Sequence, residues 1–454
     1  MKPINKPACA PVARRQTDLS AAYTSTGRRT SDGWLDRWIA TVDHFSRLAA
    51  VHPMVDAVIE EQRGRQIRIG EHWLTDWASC NYLGLDLDEE VMAAIPEYTA
   101  RWGTHPSWSR LLGSPRPYLD IEEQLTALLG CEDVLAMPTI THIHMSVIPV
   151  LAGDGVIFLD GRAHKTIYDG AMVAAGRGAT VVRFRHDDTT HLEQLIREVK
   201  GNKRKLIALD GVNSMTGNFP DLAEFSRIAN QYDGVLYVDD AHGFGVIGER
   251  SANEPCPYGI KGNSLFRHQG VSYENAVLVG GLSKAYSSLL AFLALPTRLK
   301  EALKVLAPPY LYSGPSPVAS LATTLAGLEV NRKRGDALRA DVWRKTARVL
   351  DAMHEQGIHT PNSSGTPIIE IPLANHEDID AAGQFLFDRG IYVTMAAFPL
   401  VPKTEVGVRV QVTASNTDDE VSHLIAVMGD LRERFALQRP DAVAEPQRTV
   451  VAVS

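Results

Sequence analysis

The stretch GVLYVDDAHGFGVIGE, residues 234–249, decides the fold. Its first half is an apolar run that ends in two aspartates, which is typical of a buried strand with polar groups at its carboxyl end. Similar runs lie on both sides of it, separated by amphipathic segments such as 190–200 and 221–232. The predicted strands are VIFLDG (156–161), TVVRFR (180–185), KLIALDGV (205–212), GVLYVDD (234–240), AVLVGG (276–281) and AFLALP (291–296). This alternation predicts an α/β fold with a mostly parallel sheet that is covered by helices.

The pattern changes after Pro315. The elements predicted there are a long helix (317–356), the strands TPIIEIPL (366–373), IYVTMAAF (391–398) and VGVRVQVTA (406–414), and a closing helix (417–437). They form a smaller C-terminal α+β domain. We therefore predict an N-terminal arm and helix (1–75), a large domain (76–315), a small domain (316–438) and a flexible tail (439–454).

The chain has 454 residues, a formal net charge of −8, 44% hydrophobic residues and 22% charged residues, which is an ordinary globular composition. Its length favours two or three folded units. The mildly acidic balance gives no electrostatic attraction to nucleic acid or to anionic membranes, so neither is expected as a partner. The longest apolar stretch, 287–296, has about half of the roughly 20 residues that span a bilayer, so we expect no membrane span.

The cysteines and the N-terminal segment bear on location. The four cysteines are widely spaced and form no CxxC pair, which argues against disulfides and predicts a reducing, cytoplasmic location. The first 30 residues carry six basic and one acidic side chain and no apolar core, which excludes a secretory signal. A transit peptide, a disordered arm and an arm that packs on a partner subunit all fit this segment.

Polar groups of complementary kinds follow four of the predicted strands. They are His164, Ser214, Asp239 with His242, and Lys284. Because parallel strands end at the same edge of a sheet, we expect these groups to lie close together. An amine, a carboxylate, imidazoles and a hydroxyl suit pyridoxal phosphate (PLP), which needs a lysine for its aldehyde and an acid at its ring nitrogen. Taken alone, Asp-Asp-x-His also fits a metal pair or an ordinary strand end.

No competing motif is present. The sequence has no Walker A pattern, no GxGxxG after a first strand and no HExxH. His142 and His144 are separated by one residue, so on a helix they point to different faces. We interpret them as neighbours of the cofactor or of the core, and we predict no metal site.

The motifs resemble the α-oxoamine synthase family of fold-type I PLP enzymes. DDAHGFGVIGE (239–249) is followed by LSKAY, whose lysine lies 45 residues after Asp239. The other segments that match in the family's order are WASCNYLGL (77–85), FRHDD (184–188), VNSMTGNFPDL (212–222) and VRVQVTAS (408–415). The match covers residues 76–420, about three-quarters of the chain. It implies the fold-type I PLP-transferase architecture and a homodimer with shared active sites.

The resemblance implies roles for the strand-end residues. Lys284 matches the Schiff-base lysine, and Asp239 matches the carboxylate that pairs with the pyridine nitrogen. His242 and Ser214 match groups that bind the phenolic oxygen of the cofactor. His164 matches the imidazole that stacks on the ring of the cofactor. The alternative interpretation is a core histidine that caps a helix.

The resemblance also implies residues for substrate and phosphate. Arg409 matches the guanidinium that holds the amino-acid carboxylate, and Asn81 and Arg110 are expected near the substrate. The expected phosphate ligands are Ile140 and Thr141 at a helix N-terminus, Ser283, and Ser313 reaching across from the neighbouring subunit.

Several positions depart from the family pattern. The family's G-[YF]-x-A-N segment aligns with 140–144, so Ile140 replaces the glycine and His144 the asparagine. Gly281 replaces a threonine three residues before the lysine, with Ser283 as the substitute donor. Asp210 replaces a glutamate, a change also seen in acyl-aminoketone autoinducer synthases. A glycine-rich loop of the family is bulky in this chain at 105–108, so either the loop reshapes the pocket or Trp108 packs on the dimer partner.

The function implied by the resemblance is a PLP-dependent decarboxylative, Claisen-type condensation. A small amino acid and an acyl thioester of CoA or a carrier protein give an α-aminoketone, and the departures favour a specialised pathway. Other PLP chemistry on the same fold stays open: transamination, aldol cleavage or an autoinducer-synthase-type reaction. A non-catalytic partner subunit is a further alternative, against which the presence of both Lys284 and Asp239 argues.

Overall fold

The computed structural model describes residues 52–398 and 401–439. The predicted arm up to position 51 and the predicted tail from position 440 lie outside the described residues. The described residues just before position 77 form a short antiparallel ladder, which was not predicted, of β1 (Glu61–Arg63), β2 (Gln66–Ile69) and β3 (His72–Asp76). Two-residue turns join these strands, and Gly64 and Gly70 provide their positive φ angles of 58° and 57°.

A seven-stranded sheet forms the centre of the protein. Its strands are β4 (Asp133–Met137), β5 (Val156–Asp160), β6 (Thr180–Phe184), β7 (Lys205–Asp210), β8 (Gly234–Asp239), β9 (Ala276–Gly281) and β10 (Ala291–Leu295), in the order β4-β10-β9-β8-β7-β5-β6. The six predicted strands are confirmed, while β4 was not predicted. β10 runs antiparallel to both neighbours. A short hairpin joins β9 to β10, and the Leu282 amide closes it by donating to the Leu290 carbonyl (2.9 Å). A connection this short can join only antiparallel strands.

The carboxyl ends of β5, β7, β8 and β9 share one edge of this sheet. β7 and β8 pair in register, so that Asp210 lies opposite Asp239. The strands are buried on both faces: Leu236 and Val238 of β8 belong to one apolar core, and Tyr237 belongs to the core on the other face. Polar side chains at this edge are therefore the groups that a ligand in the crevice meets.

Helices cover both faces of the sheet. They are α1 (Glu89–Trp102), α2 (Arg116–Leu129), α3 (Ile140–Ala152), α4 (Lys165–Ala175), α5 (Thr189–Arg197), α6 (Leu222–Gln231), α7 (Leu265–Gln269), α8 (Thr297–Leu306) and α9 (Pro308–Leu311). α3 begins two residues after β4, and Thr139 caps it by accepting a hydrogen bond from the His142 amide (3.3 Å). In the part of the chain that the structure describes, no helix is long and apolar enough to cross a membrane.

The C-terminal part forms a smaller sheet against a long helix. Its elements are α10 (Val318–Glu355), β11 (Ile368–Pro372), α11 (Ile379–Asp388), β12 (Ile391–Tyr392), β13 (Thr394–Ala396), β14 (Gly407–Gln411) and α12 (Asp418–Arg434). The strand predicted over 391–398 is divided, because β12 pairs with β3 whereas β13 pairs with β14. The predicted mostly parallel α/β sheet and smaller α+β part are confirmed, and the domain boundary at 315/316 stays a prediction.

Glu370 is a buried acid in this smaller sheet. It lies on β11 opposite Arg409 of β14, is 2% exposed, and its Oε1 has no hydrogen-bond partner among the described residues. Burial and the negative charge of Glu405 raise the pKa of Glu370 to about 7, although the charges of Arg162 and Arg409 lower it. The folded protein therefore favours the uncharged side chain.

Replacing Glu370 with glutamine should stabilise the protein in a pH-dependent way. Since folding raises the pKa of Glu370 from 4.5 to about 7, the native state binds the extra proton, and stability is lost as the pH rises through that window. We expect Glu370→Gln to match the wild type near pH 4.5 and to exceed it above neutrality by on the order of 3 kcal/mol. Unfolding measured across this pH range tests it, with the exposed Glu71→Gln as control. A Glu370→Gln profile parallel to that of the wild type would contradict the expectation.

Candidate active site

A cavity of about 190 Å³ lies at the carboxyl edge of the central sheet, next to the first turns of α3 and α4. Eight predicted site residues line it: Ile140, Thr141, His164, Ser214, Asp239, His242, Ser283 and Lys284. Thr139, Thr166, Asp210, Val212 and Ala241 complete the lining. The fold thus brings the predicted amine, carboxylate, imidazoles and hydroxyls into one place.

Asp239 is the charged group at the bottom of this cavity. Its side chain is 6% exposed. Oδ1 accepts a hydrogen bond from the Ala241 amide (3.0 Å), and Oδ2 lies 2.8 Å from His144 Nε2. Burial by itself raises the pKa of Asp239, but the His144 hydrogen bond and the charges of Lys284 and His164 outweigh it and lower the pKa below its ordinary value. Asp239 is therefore ionised, as a partner of a protonated ring nitrogen must be.

The pKa of Asp210, at the end of the adjacent strand, is shifted in the opposite direction. Burial and the nearby charge of Asp239 raise the pKa of Asp210 well above its ordinary value. Its Oδ1 accepts a hydrogen bond from the His164 amide (3.2 Å). The two carboxylates therefore differ in the direction of their pKa shifts: burial and the charge of Asp239 favour the protonated form of Asp210.

His242 is held by a residue that sequence reasoning did not single out. The Tyr82 hydroxyl lies 2.8 Å from His242 Nδ1. Burial raises the pKa of Tyr82 well above its ordinary value and lowers the pKa of His242 well below its own, so the hydroxyl donates and the imidazole is neutral. The remaining ring proton is then on Nε2. Tyr82 belongs to the matching NYLGL segment, but only the fold reveals its partner.

His164 is a helix cap, but it is exposed and therefore not a core histidine. It caps α4, where its Nδ1 accepts a hydrogen bond from the Thr166 amide (3.4 Å) and lies 2.8 Å from the Thr166 hydroxyl. Its ring is also exposed to the cavity. The helix cap therefore orients the ring instead of excluding it from the site.

The replacements at Ile140 and Gly281 are sterically linked. A Cβ atom on Gly281 would lie 2.5 Å from the Cδ1 atom of Ile140. A threonine at this strand position, as in the family, would therefore require the Ile140 side chain to move. The α3 amides still face the cavity beside Thr141 and Ser283, which is a suitable environment for a phosphate.

Four predicted residues do not line the cavity: Asn81, Arg110, Ser313 and Arg409. Arg409 lies next to it, because its Nη1 donates to the carbonyl of Ser214 (2.6 Å). Its buried Nε has no hydrogen-bond partner among the described residues. An unused guanidinium donor beside the cavity fits the binding of a carboxylate.

Arg110 occupies a structural position instead of the expected substrate contact. It is 6% exposed, and its Nη1 donates to Glu122 Oε1 (2.9 Å) and to the carbonyl of Ala136 (2.8 Å). Its guanidinium lies 4.1 Å from the centroid of the Tyr118 ring, and Glu122 also pairs with Lys300 (3.1 Å). A guanidinium committed to this buried network is not available to a substrate.

The bulky loop also lies outside the cavity. Trp108 is 51% exposed, and its Nε1 donates to the carbonyl of Gly113 (2.7 Å). His105 lies beside Gly314, and neither His105 nor Trp108 lines the cavity. Within this chain the loop therefore presents Trp108 outward rather than narrowing the pocket.

Comparisons with known proteins identify the family. The sequence profile described as aminotransferase class I and II matches residues 74–428. A putative 8-amino-7-oxononanoate synthase of Desulforudis audaxviator is 32% identical over 79% of this chain and 90% of its own length. The chain belongs to the α-oxoamine synthases, within the aminotransferase class I and II family.

Further relatives agree with this assignment. The serine palmitoyltransferase of Sphingobacterium spiritivorum is 28% identical over 82% of this chain and 89% of its own. The solved structure of the Sphingomonas wittichii serine palmitoyltransferase has a TM-score of 0.80, covering 89% of this chain and 99% of its own at 24% identity, which shows the shared fold.

PLP is the cofactor of the α-oxoamine synthases, and one serine palmitoyltransferase structure with the same fold holds it. The cavity fits this group. Lys284 provides an amine, Asp239 an ionised carboxylate for the ring nitrogen, and the first turn of α3 provides amides for the phosphate. His242 and Ser214 also line the cavity and would be available to bind the phenolic oxygen.

The link between Ile140 and Gly281 can be tested with a double-mutant cycle. Gly281→Thr should push the Ile140 side chain into the phosphate end of the cavity and weaken PLP binding, since overpacking costs about 1–3 kcal/mol. Ile140→Ala in the same protein should recover most of that loss. The dissociation constant of PLP, measured by equilibrium dialysis for the four proteins, checks this. Additive effects of the two substitutions would show that the positions are independent.

Proposed function

We propose that this α-oxoamine synthase is a PLP-dependent acyltransferase that joins a small amino acid to the acyl group of a thioester. In this reaction the thioester carbon–sulfur bond breaks and a bond from the acyl carbon to the amino acid's α-carbon forms. The amino acid loses its carboxylate as CO2, and the free thiol leaves. The product is an α-aminoketone. The names of the relatives, which include synthases and palmitoyltransferases, support this class of reaction.

The observation that carries the proposal is the placement of Lys284 and ionised Asp239 in one cavity. Bound PLP supplies a protonated ring that withdraws an electron pair from the α-carbon of an attached amino acid. Asp239 keeps the ring nitrogen protonated, since a buried carboxylate without a cationic partner is unfavourable. Lys284 is the one amine in the cavity lining formed by the described residues. We assign to it both the covalent attachment of the cofactor and the movement of the α-proton.

Other residues bind and orient the substrate in this proposal. The guanidinium of Arg409, with its unused Nε, holds the carboxylate of the amino acid. Asn81 belongs to the same end of the site. His164 offers its ring face, and His242, held by Tyr82, donates from Nε2.

An autoinducer-synthase-type condensation is the second candidate. The observation that favours it is Asp210, which lines the cavity at the position where that group also has aspartate. Both candidates consume an amino acid and an acyl thioester, so the mass of the product distinguishes them. Transamination or aldol cleavage would instead yield a keto acid or an aldehyde without release of thiol.

The first test is turnover of the PLP-loaded protein with single amino acids and a panel of acyl thioesters. We expect free thiol and CO2 in equal amounts.

Lys284→Ala should abolish turnover and the visible absorption band of the bound cofactor, because no other described amine lies in the cavity. Asp239→Asn should bind PLP more weakly and lose most of its rate, since a hydrogen bond to a charged group contributes roughly 1.5–3 kcal/mol.

Lys165→Ala is a matched control, because Lys165 is an exposed lysine on α4 next to the site. This variant should keep wild-type turnover. Full activity of Lys284→Ala, or thiol release that is equally fast without an amino acid, would reject the proposal.

We also propose a homodimer with shared active sites. Four large apolar side chains on the segments 108–112 and 312 are exposed: Trp108, Leu111, Leu112 and Tyr312, with exposed fractions of 51%, 52%, 81% and 83%. We call them the apolar rim. The two segments that carry the rim meet, since the Val318 amide donates to the Thr104 carbonyl (3.1 Å). An apolar surface of this kind is suited to a partner subunit, and Ser313 lies outside its own chain's cavity, as a residue serving the neighbour's phosphate should.

Mixing two inactive proteins tests the shared site. Lys284→Ala and Ser313→Glu homodimers should each be inactive, the second because a carboxylate repels the phosphate. Random reassociation should restore about a quarter of the wild-type activity, because half of the dimers then contain one intact site. Mixing Lys284→Ala with Asp239→Asn should give no recovery, since both residues belong to the same chain's site. Equal failure of both mixtures would mean that each site is built from one chain.

The acyl donor and the location complete the proposal. The departures at Ile140 and Asp210, which line the cavity, support a donor other than those of the biotin, haem and sphingolipid pathways, and hence a specialised pathway. Poor turnover of pimeloyl-, acetyl- and palmitoyl-CoA would agree with a specialised acyl donor, and efficient use of any of them would contradict it.

Cys80, Cys131 and Cys256 are free thiols, which supports a cytoplasmic location.

A further inference from the structure

His144 lies directly behind the cavity, on the side of Asp239 that faces away from a ligand. It is on α3, its exposed fraction is 0%, and it does not belong to the cavity lining. Its Nε2 is 2.8 Å from Asp239 Oδ2, and its Nδ1 is 2.8 Å from the hydroxyl of Tyr237. Both nitrogens of a fully buried imidazole are thus engaged, and one of them contacts the residue assigned to the cofactor's ring nitrogen.

The position of the protons follows from the partners. Burial and the charge of Asp239 raise the pKa of Tyr237 well above its ordinary value, so its hydroxyl keeps its proton. Within the described residues this buried hydroxyl has no other hydrogen-bond partner, so it donates to His144 Nδ1. The ring proton of His144 is then on Nε2, and it is donated to Asp239 Oδ2.

Tyr237 and His144 reach Asp239 from different elements. Tyr237 is on β8, two residues before Asp239, and its side chain points into the core on the face that α3 covers. His144 replaces the asparagine of the family segment. An asparagine amide can also donate one hydrogen bond to a carboxylate, but it is too short to keep a second bond to Tyr237 at the same time. The relay from Tyr237 through His144 to Asp239 is therefore a feature of this chain.

We propose that His144 is a positioning residue. Held by Tyr237, it fixes the orientation and the charge of the Asp239 carboxylate. Through that carboxylate it also fixes the protonation of the ring nitrogen of bound PLP. With Oδ2 committed to His144 and Oδ1 accepting the Ala241 amide, the carboxylate cannot rotate without losing both bonds. This inference rests on the role of Asp239 in the proposed function.

The test uses full-length protein loaded with PLP that carries nitrogen-15 in its ring. Solid-state NMR then reports the protonation of the ring nitrogen directly, and equilibrium dialysis gives the dissociation constant of PLP. His144→Leu should shift the ring nitrogen towards the neutral form and weaken PLP binding about 10- to 100-fold, as expected for the loss of a hydrogen bond to a charged group. His144→Asn, which keeps one donor, should have a smaller effect.

Tyr237→Phe probes the relay without altering the cavity. It should weaken binding about 2- to 10-fold, the usual range for a neutral hydrogen bond. Because Tyr237 acts through His144, the double variant His144→Leu/Tyr237→Phe should match His144→Leu alone. Additive losses in the double variant would overturn the relay. If His144→Leu does not fold, Tyr237→Phe and His144→Asn still test it: wild-type ring-nitrogen protonation and PLP binding in both variants would also overturn the relay.

Two controls separate the possible failures. Ser146→Ala changes another buried polar residue of α3, one that bonds only within its own helix, and it should leave both measurements unchanged. Asp239→Asn should give a neutral ring nitrogen. If Asp239→Asn does not, the role of Asp239 in the proposed function is wrong. If it does while the His144 variants resemble the wild type, only the inference about His144 is wrong.

Discussion

A full negative charge on Asp239, which lines the cavity with a side chain only 6% exposed, is the constraint that the surrounding structure has to satisfy. An isolated carboxylate there would take up a proton. It stays ionised because the Ala241 amide and His144 occupy its two oxygens and because the amine of Lys284 is near. The register of β7 and β8 places Asp210 opposite Asp239, whose charge helps to raise the pKa of Asp210. This strand pairing therefore couples the ionisation of the two carboxyl groups.

The departures from the family pattern make physical sense in combination. Ile140 occupies the space that a side chain at position 281 would need. The replacement of the family's glycine by Ile140 on the helix and of its threonine by Gly281 on the strand therefore compensate each other sterically. His144, four residues further along α3, reaches Asp239 from the other side. The first turns of this helix therefore contact the site both at its phosphate end and behind its carboxylate. Changes there affect the cofactor without touching Lys284.

The smaller sheet is joined to the cavity by few but specific contacts. The bond from Arg409 to the Ser214 carbonyl connects β14 to the turn after β7, and the pairing of β12 with β3 connects the C-terminal part to the N-terminal ladder. The buried Glu370 lies on the same face of that sheet as Arg409. The position of Arg409, the residue proposed to bind the substrate carboxylate, therefore depends on how the smaller sheet packs against the turn after β7.

Apolar runs with polar residues at their ends sufficed to predict six of the seven central strands, their shared edge and five cavity residues, His164, Ser214, Asp239, His242 and Lys284, since a parallel sheet buried on both faces leaves that pattern in any chain that forms it. Ile140, Thr141 and Ser283 came from the family resemblance. The family motifs then pointed to the cofactor. The antiparallel course of β10, the strands before position 77 and the buried role of Arg110 were not predictable in this way. Nor was the relay from Tyr237 to Asp239. Each of these depends on which side chain of one element meets which side chain of another. Such contacts join residues about 12 to 160 positions apart and leave no periodic signal along the chain. Packing in three dimensions is what selects them.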